Sequence, residues 1–475
     1  MLEINTNVAS IIAQNAVSNT QNKINTSVQR LATGLRINSA QDDAAGLGIA
    51  ARMTSQVNGI NQAVLNANYG VSLAQTAQGA LSAVTTALQR VRQLAVESAN
   101  ASNSATDRSG LDAEAQQLIS QVQTIATQTQ FNGQNILDGT FGIATFQVGA
   151  NAGQTLAAAT GNIQTSSLGS YSSVGSALAG GGGSALAGPA SAGDPGDLAI
   201  TGANGKLVKI GATTDGQAST IAAAINAQSS NTGVTATAAT TTTITITNTA
   251  LAAGDLAIKD SSGNNVNIGA VAKAATDGGF AANLASQINA ISAKTGVTAT
   301  YAGGTLTLSN TTGSDITIEA TSAGQTVSGL SGSSTSVGGT ISLSSGSAFS
   351  VSGNNVGFAG LSSPTNSMNT LASSDIATAT NATTMVQAVD GALAQINNLQ
   401  ANIGAMQARF QSVVSTLQTQ SQNLSAARSS VQDTDFAAET ANLSKEQVMQ
   451  QAGTAMVAQA NQQASQVLTL LQKLG

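Results

Sequence analysis

The chain has no cysteine, no histidine and no tryptophan, only three prolines among 475 residues, and charged residues make up just 8% of it. Without cysteine there are no disulfides and no thiolate metal sites. Without histidine there is no imidazole ligand, no His-based acid/base or Ser-His catalysis, and no H-E-x-x-H peptidase. No catalytic, metal or cofactor residue is therefore assigned. Basic residues number 16 against 22 acidic ones, with no basic cluster of the kind that neutralises a phosphate backbone, so nucleic acid is not expected as a partner. Apolar runs stay far below the roughly 18 residues that a membrane span needs, and the start MLEINTNVASIIAQNAVSN lacks the basic-then-apolar order of a cleaved signal peptide. No membrane insertion is expected.

The length predicts several domains of about 100 to 200 residues each. Composition divides the chain in three. Pro189, Pro195 and Pro364 all lie in the middle, and every arginine lies before residue 109 or after residue 408. Near the N-terminus Ile24, Val28, Leu31 and Leu35 recur with helical 4-3-4 spacing. Met53, Val57, Ile60 and Val64 do the same, and Ala77, Leu81, Val84, Leu88 and Val91 continue the pattern. Two or three helices are implied, with a break near Asn38-Ser39 and with Asp42 and Asp43 in a following first turn, where they complement the helix dipole rather than form a catalytic pair. At the other end Leu399, Ile403, Met406, Phe410, Val413 and Leu417 form one stripe, and Ala460, Ala464, Val467, Leu471 and Leu474 form another.

Such stripes are ordinarily the core faces of a monomeric bundle. Here residues 447 to 472 contain no charge at all, so a helix over them has no solvated charged face and gains most when neighbours cover it all round. Seams at opposite ends of the chain can pair only if the middle is an excursion from them. The fold class expected is therefore multidomain: a long α-helical coiled-coil bundle built from both termini, a small β-hairpin region, and central α+β, β-rich insert domains. The hairpin region falls between Phe131 and Leu156, where Asn132-Gly133 and Asp138-Gly139 mark turns.

The middle repeats itself. Gly196-Asp197-Leu198-Ala199-Ile200 recurs from Gly254, and Gly233-Val234-Thr235-Ala236-Thr237 recurs from Gly296. Each copy reads as a strand pair, a short helix and alternating strands. Two small modules at about 196–250 and 254–320 are expected, in tandem or packed together, with linkers around 171–195 and 330–374. The run Gly180–Gly183 has no following Lys-Ser/Thr and reads as a flexible linker rather than a phosphate loop.

Five stretches carry a resemblance: INTNVASIIAQNAV from Ile4, VQRLATGLRINSAQDDAAGLGIA from Val28, LQRVRQLAVESAN from Leu88, FNGQNILDG from Phe131, and DTDFAAETANLSKEQVMQQAGTAMVAQANQ from Asp433. Over residues 1–170 and 375–475 the chain resembles the bacterial flagellins, and its middle is similar to the variable insert such proteins carry. The resemblance implies a homopolymer. Residues 1–42 and 436–475 would form the inner core of a filament, 43–170 and 375–435 the outer core tube, and 171–374 the surface. It implies export without a cleaved signal peptide to an extracellular flagellum, an export chaperone, a filament cap protein and a hook-filament junction protein as partners, and a host Toll-like flagellin receptor that reads Gln89, Arg90, Leu94 and Glu114. The polymerisation seams would run through Ile24, Val28, Leu31, Leu35, Ala460, Ala464, Val467 and Leu471. A hook-filament junction protein is the rival within the same apparatus, and a surface adhesin with coiled-coil stalks is the rival outside it.

Overall fold

The computed structural model describes residues 6–178, 198–202, 205–211, 213, 216–244, 250–260, 263–302, 305–320, 334–353, 361 and 367–472. Helix α1 (Val8–Thr33) begins at Asn7, whose side chain accepts the Ser10 N–H, and stops at Gly34, which takes the left-handed conformation (φ 72°) that favours glycine. Helix α2 (Ala44–Ser98) follows. Asp42 and Asp43 precede this helix instead of occupying its first turn. Asp43 accepts the Gly46 N–H (2.8 Å) as a cap, while Asp42 accepts the backbone N–H groups of Ser39 and Asn38 and the Ser39 hydroxyl. Those bonds, led by the Ser39 N–H, hold the Asp42 carboxyl below its ordinary pKa. The N-cap and the first helical turn are adjacent and both favour aspartate, so the sequence alone does not separate them. Helix α3 (Ala105–Gln128) opens with a capping box between Ser104 and Asp107, and the Ser104 hydroxyl is the main reason the Asp107 pKa is lowered.

Two small hairpins come next. Strands β1 (Gln130–Phe131) and β2 (Gln134–Asn135) flank Asn132-Gly133, with φ of 51° and 77° at those two residues, the positive pair that a two-residue primed turn demands. Strands β3 (Ile143–Gln147) and β4 (Thr155–Ala159) form the other.

Beyond these, β5 (Gly169–Val174), β6 (Ala199–Thr201), β7 (Leu207–Lys209), α4 (Ala218–Asn226), α5 (Ser229–Thr232) and β8 (Val234–Ile244) lead into the insert. The second repeat supplies β9 (Leu256–Lys259), β10 (Asn265–Asn267), α6 (Asp277–Ala290), α7 (Ser292–Thr295), β11 (Thr298–Ala302), β12 (Thr305–Asn310), β13 (Ile316–Ala320) and β14 (Ser334–Val337). Strands β15 (Thr340–Ser345), β16 (Ser350–Ser352) and β17 (Ser367–Thr370) return the chain to α8 (Ala379–Gln432) and α9 (Phe436–Gln472). Terminal helical regions thus enclose a β-rich central insert.

The two repeats are nested rather than strung in a row. In the second, β13 pairs with β9 and β12 with β11. The first fills the equivalent places with β16 beside β6 and β15 beside β8, strands that lie beyond the second repeat. Its core accordingly joins Ile200, Ile221, Ile225 and Val234 to Ile341, Leu343 and Phe349, while the second core, around Phe280, Leu284, Ile288 and Leu308, draws most of its members from between Leu251 and Ile318. Strand β8 also carries the second repeat, because its far half pairs with β12. One sheet results, in the order β11-β12-β8-β15-β5-β17. The stretches expected as linkers contain β5 and β14 to β17. The glycine run at 180–183 and part of the expected strand at 243–247 fall outside the described residues.

By contact the chain divides into two units. The first comprises residues 1–75, 143–158 and 405–475. In it Ile60, Ala63 and Leu417 form a core with Val64, Val413 and Leu424 packed against it. Phe146 of β3 meets Phe410 of α8 edge-on, ring centroids 5.4 Å apart. Gly70 of α2 makes that possible, since a Cβ there would stand 2.5 Å from the Phe410 ring.

The second unit comprises residues 76–142 and 159–404. Here the stripe Ala77, Leu81, Val84, Leu88 and Val91 is fully buried, and α2 is tied to α8 by Arg92–Asp390 (2.6 Å) and by Gln400 donating to Thr85 (3.2 Å). Helix α8 also holds the sheet. Gly391 lies against Gly169 and Ser170 so closely that a Cβ would come within 2.6 Å of the Gly169 carbonyl. One turn on, the Gln395 amide donates to the carbonyls of Gly169 (3.1 Å) and Gly346 (2.6 Å).

Candidate assembly surface

Helices α1 and α9 pack along one another. The covered face of α1 runs Ser10, Ala13, Val17, Thr20, Ile24, Ser27 and Leu31; that of α9 runs Glu439, Leu443, Glu446, Gln450, Gly453, Val457 and Ala460. Both keep the alternating 3-4 spacing of a two-helix seam. Nine of the fourteen positions are polar or small, and the contacts across the seam reflect it. The Asn7 amide donates to the Ala460 carbonyl (3.0 Å), Gln450 donates to Gln21, and Lys23 lies 3.7 Å from Glu446. Gly453 faces Val17 closely enough that a Cβ would meet its methyl at 2.7 Å. At the base the chain ends are stitched by backbone bonds, Arg36 N–H to Gln432 O (2.7 Å) and Thr434 N–H to Gly34 O (2.9 Å).

Other large apolar residues lie outside the seam. Val8, Ile11, Ile12 and Val28 on α1 and Val448, Met449 and Met456 on α9 remain 45–64% exposed. A soluble monomer rarely leaves such a concentration of aliphatic side chains in water. Completing the burial of each is worth on the order of 1 kcal/mol at about 25 cal/mol per Å². The helix pair therefore joins along a mixed seam of small, polar and aliphatic residues and presents further aliphatic positions outward.

Of the residues expected to form seams, Ile24, Leu31, Leu35 and Ala460 are half-buried within the chain. Val28 is not: Ser27 takes the covered place, at 6% exposure, and Val28 points to solvent. Spacings of 3 and 4 permit either residue, and only the partner helix decides between them. The side chains of Ala464, Val467 and Leu471 lie outside the described residues. The small-residue phase 10-13-17-20-24-27-31 was visible in the sequence but masked by the larger residues beside it.

The residues expected to meet a receptor separate into two groups. Gln89, Arg90 and Glu114 are exposed, and Arg90 Nη2 of α2 reaches Glu114 of α3 at 2.7 Å. Leu94 is 1% exposed and belongs to the core. One turn on from Arg90 on α2, its side chain points inward among the buried residues around it. Among the described residues no group of three His, Cys, Asp or Glu side chains could hold a metal ion, and no helix is long and apolar enough to cross a membrane.

Residues 4–142 match the family model of the bacterial flagellin N-terminal helical region, and residues 386–471 match that of the C-terminal helical region. The chain is 39% identical to the B-type flagellin of Pseudomonas aeruginosa, with 99% of each covered. The chain belongs to the bacterial flagellin family. It is 34% identical to a flagellin of Salmonella choleraesuis, covering 98% of this chain and 99% of that one, and 30% identical to flagellin B of Vibrio cholerae, covering 99% of both. Flagellins are structural components of the flagellar filament, and as a flagellin this chain is a filament subunit. Among solved structures, FliC from Burkholderia pseudomallei is 25% identical with a TM-score of 0.30, covering 72% of this chain and 99% of that one. The flagellar junction protein FlgL from Legionella pneumophila is 15% identical with a TM-score of 0.33, covering 81% of this chain and 100% of that one. Neither superposition is close enough to weigh in the assignment, which the sequence matches carry over nearly the whole flagellin chain.

Proposed function

We propose that this flagellin polymerises through α1 and α9, that its role is purely structural, and that the chain needs no cofactor. The supporting observation is the set of exposed aliphatic residues on the outer side of a helix pair already joined along its own seam. In this reading residues 1–42 and 436–475 line the inner core, 43–170 and 375–435 build the tube around it, and 171–374 lie at the surface. Subunits leave the cell unfolded and without a cleaved signal peptide, accompanied by an export chaperone. They add beneath a cap protein on a base of hook-filament junction protein. Purified chain mixed with short filament seeds is expected to elongate them, as followed by electron microscopy and light scattering. A chain that stays a compact, fully ordered monomer at high concentration with seeds present removes the proposal.

We further propose that Gln89, Arg90 and Glu114 form a face read by the host Toll-like flagellin receptor, with Leu94 supporting it from beneath. An exposed ion pair contributes little to stability, so Arg90→Ala with Glu114→Ala should leave the thermal midpoint unchanged while reporter-cell signalling falls by at least about tenfold, the loss on the order of 1.4 kcal/mol that one charge-assisted contact supplies. Unaltered signalling by the double variant refutes the assignment. Leu94→Ala, in contrast, should act through packing and lower the midpoint.

A further inference from the structure

Both repeats place an asparagine seven residues before the Thr-Ala-Thr strand's glycine, Asn226 before Gly233 and Asn289 before Gly296. Each does the same thing. Asn289 Oδ1 accepts the Ala299 N–H (2.7 Å) and its Nδ2 donates to the Ala299 carbonyl (2.9 Å). Asn226 repeats this at Ala236, with distances of 2.7 and 2.8 Å. A side-chain amide offers one acceptor and one donor in a plane, the same pair that a residue of a neighbouring strand would offer.

What differs between the copies is what lies alongside. In an antiparallel ladder the N–H and C=O of one residue point to the same side, and successive residues alternate. Since the Ala299 N–H goes to Asn289, Ala299 and Tyr301 face away from β12, while Thr298, Thr300 and Ala302 face it. Strand β11 is the outermost strand of the six-stranded sheet. It is five residues long, longer than the outer strands β7, β10, β14, β16 and β17. Its sequence Thr-Ala-Thr-Tyr-Ala has no charge, proline or glycine, the devices by which exposed edges usually avoid pairing. Thr298 and Thr300 are exposed. In the first copy the corresponding side of β8 is not open. Residues 311–314 run beside it, with the Ser314 carbonyl accepting the Thr240 hydroxyl (2.8 Å) and Gly313 against Ala238.

We infer that the outer edge of β11 is a latent docking edge for the same strand of a second copy, and that Asn289 holds it shut. Among the described residues of β11 only two rungs face outward, at Ala299 and Tyr301. The amide occupies one, and a single remaining rung cannot start a ladder. The fitting occupant is another β11, because antiparallel pairing about Thr300 sets Ala299 opposite Tyr301 twice and Thr300 opposite itself, with no charge to oppose the match. Joined in this way, two six-stranded sheets become one continuous sheet.

Sedimentation velocity on the full chain, without seeds and at a concentration where the parent is monomeric, tests this. N289A should raise the dimer fraction at least about fivefold, as expected of an edge stripped of its guard. N289A/T300K should return it to the parental value, because two ammonium groups would then face each other across the two-fold. N226A loses the same pair of hydrogen bonds but opens no outer rung, and should stay monomeric. The inference is overturned if N289A remains monomeric, if its association survives T300K, or if N226A associates equally, since the last two results would trace association to a loosened module rather than to the edge.

Discussion

Ile12→Lys together with Met456→Lys should stop seeded elongation altogether while leaving the monomer's helical content as it was. Both residues are more than 60% exposed and lie outside the α1/α9 seam, and lysine is a good helix former, so nothing within one chain resists the change. In a polymer that covers these positions, each subunit must bury two unpaired ammonium groups. Even after relaxation that costs several kcal/mol per ion. At about 1.4 kcal/mol per factor of ten, the critical concentration should rise by roughly a thousandfold or more. Deleting residues 1–40 or 440–475 should also abolish growth, but truncation removes seam and outer surface together, so the paired lysines are the sharper probe. Elongation at the parental rate would mean that the outward aliphatics stay wet in the filament.

Phe410→Ala should be the most damaging single truncation in the first unit. The ring is fully buried, stands edge-on to Phe146, and fits a notch that exists because residue 70 has no side chain. Emptying such a site costs about 3–5 kcal/mol, since helices on either side cannot collapse into it. A loss of this size lowers the unfolding midpoint of a domain by on the order of 10 °C, measurable by calorimetry. Phe146→Ala should cost less, because that ring is only half-buried, and the double variant should cost less than the sum, by about 0.5–1.5 kcal/mol for the lost ring pair. Gly70→Val should approach the Phe410 result from the opposite direction, by overfilling. A change below about 1 kcal/mol for Phe410→Ala would show that the notch closes freely.

Long-period patterns were legible in the sequence and short polar ones were not. The stripes at 77–91 and 399–417 repeat over several turns, and the structure buries Leu81, Leu88, Ile403 and Phe410 as that repetition requires. The Asn132-Gly133 turn was equally plain, because few residues tolerate its backbone. Strands β5 and β17 carried no such signal, and the alternation in β15 is brief. Ser-Tyr-Ser-Ser, Ile-Ser-Leu-Ser and Ser-Met-Asn-Thr are short, and their partners lie far along the chain: Ser342 pairs with Thr237 and with Val174. No local window contains that information. The inward turn of Leu94 and the outward turn of Val28 were illegible for a related reason. Periodicity gives the angle between residues on a helix, but the zero of that angle belongs to whatever packs beside it.

Nesting gives the insert an architectural freedom that a row of beads would lack. The second repeat departs from β8 and rejoins at β15, and Ala239 and Thr340, on either side of that detour, are cross-strand neighbours. Anything that begins and finishes at adjacent rungs can grow, shrink or be replaced without prising apart the strands that hold it. The same holds one level down, where β5 and β17 pair directly at Gly169 and Thr370. Each doorway is one strand spacing wide whatever lies behind it, so the content of the insert can change while the strands at its entrance keep their pairing.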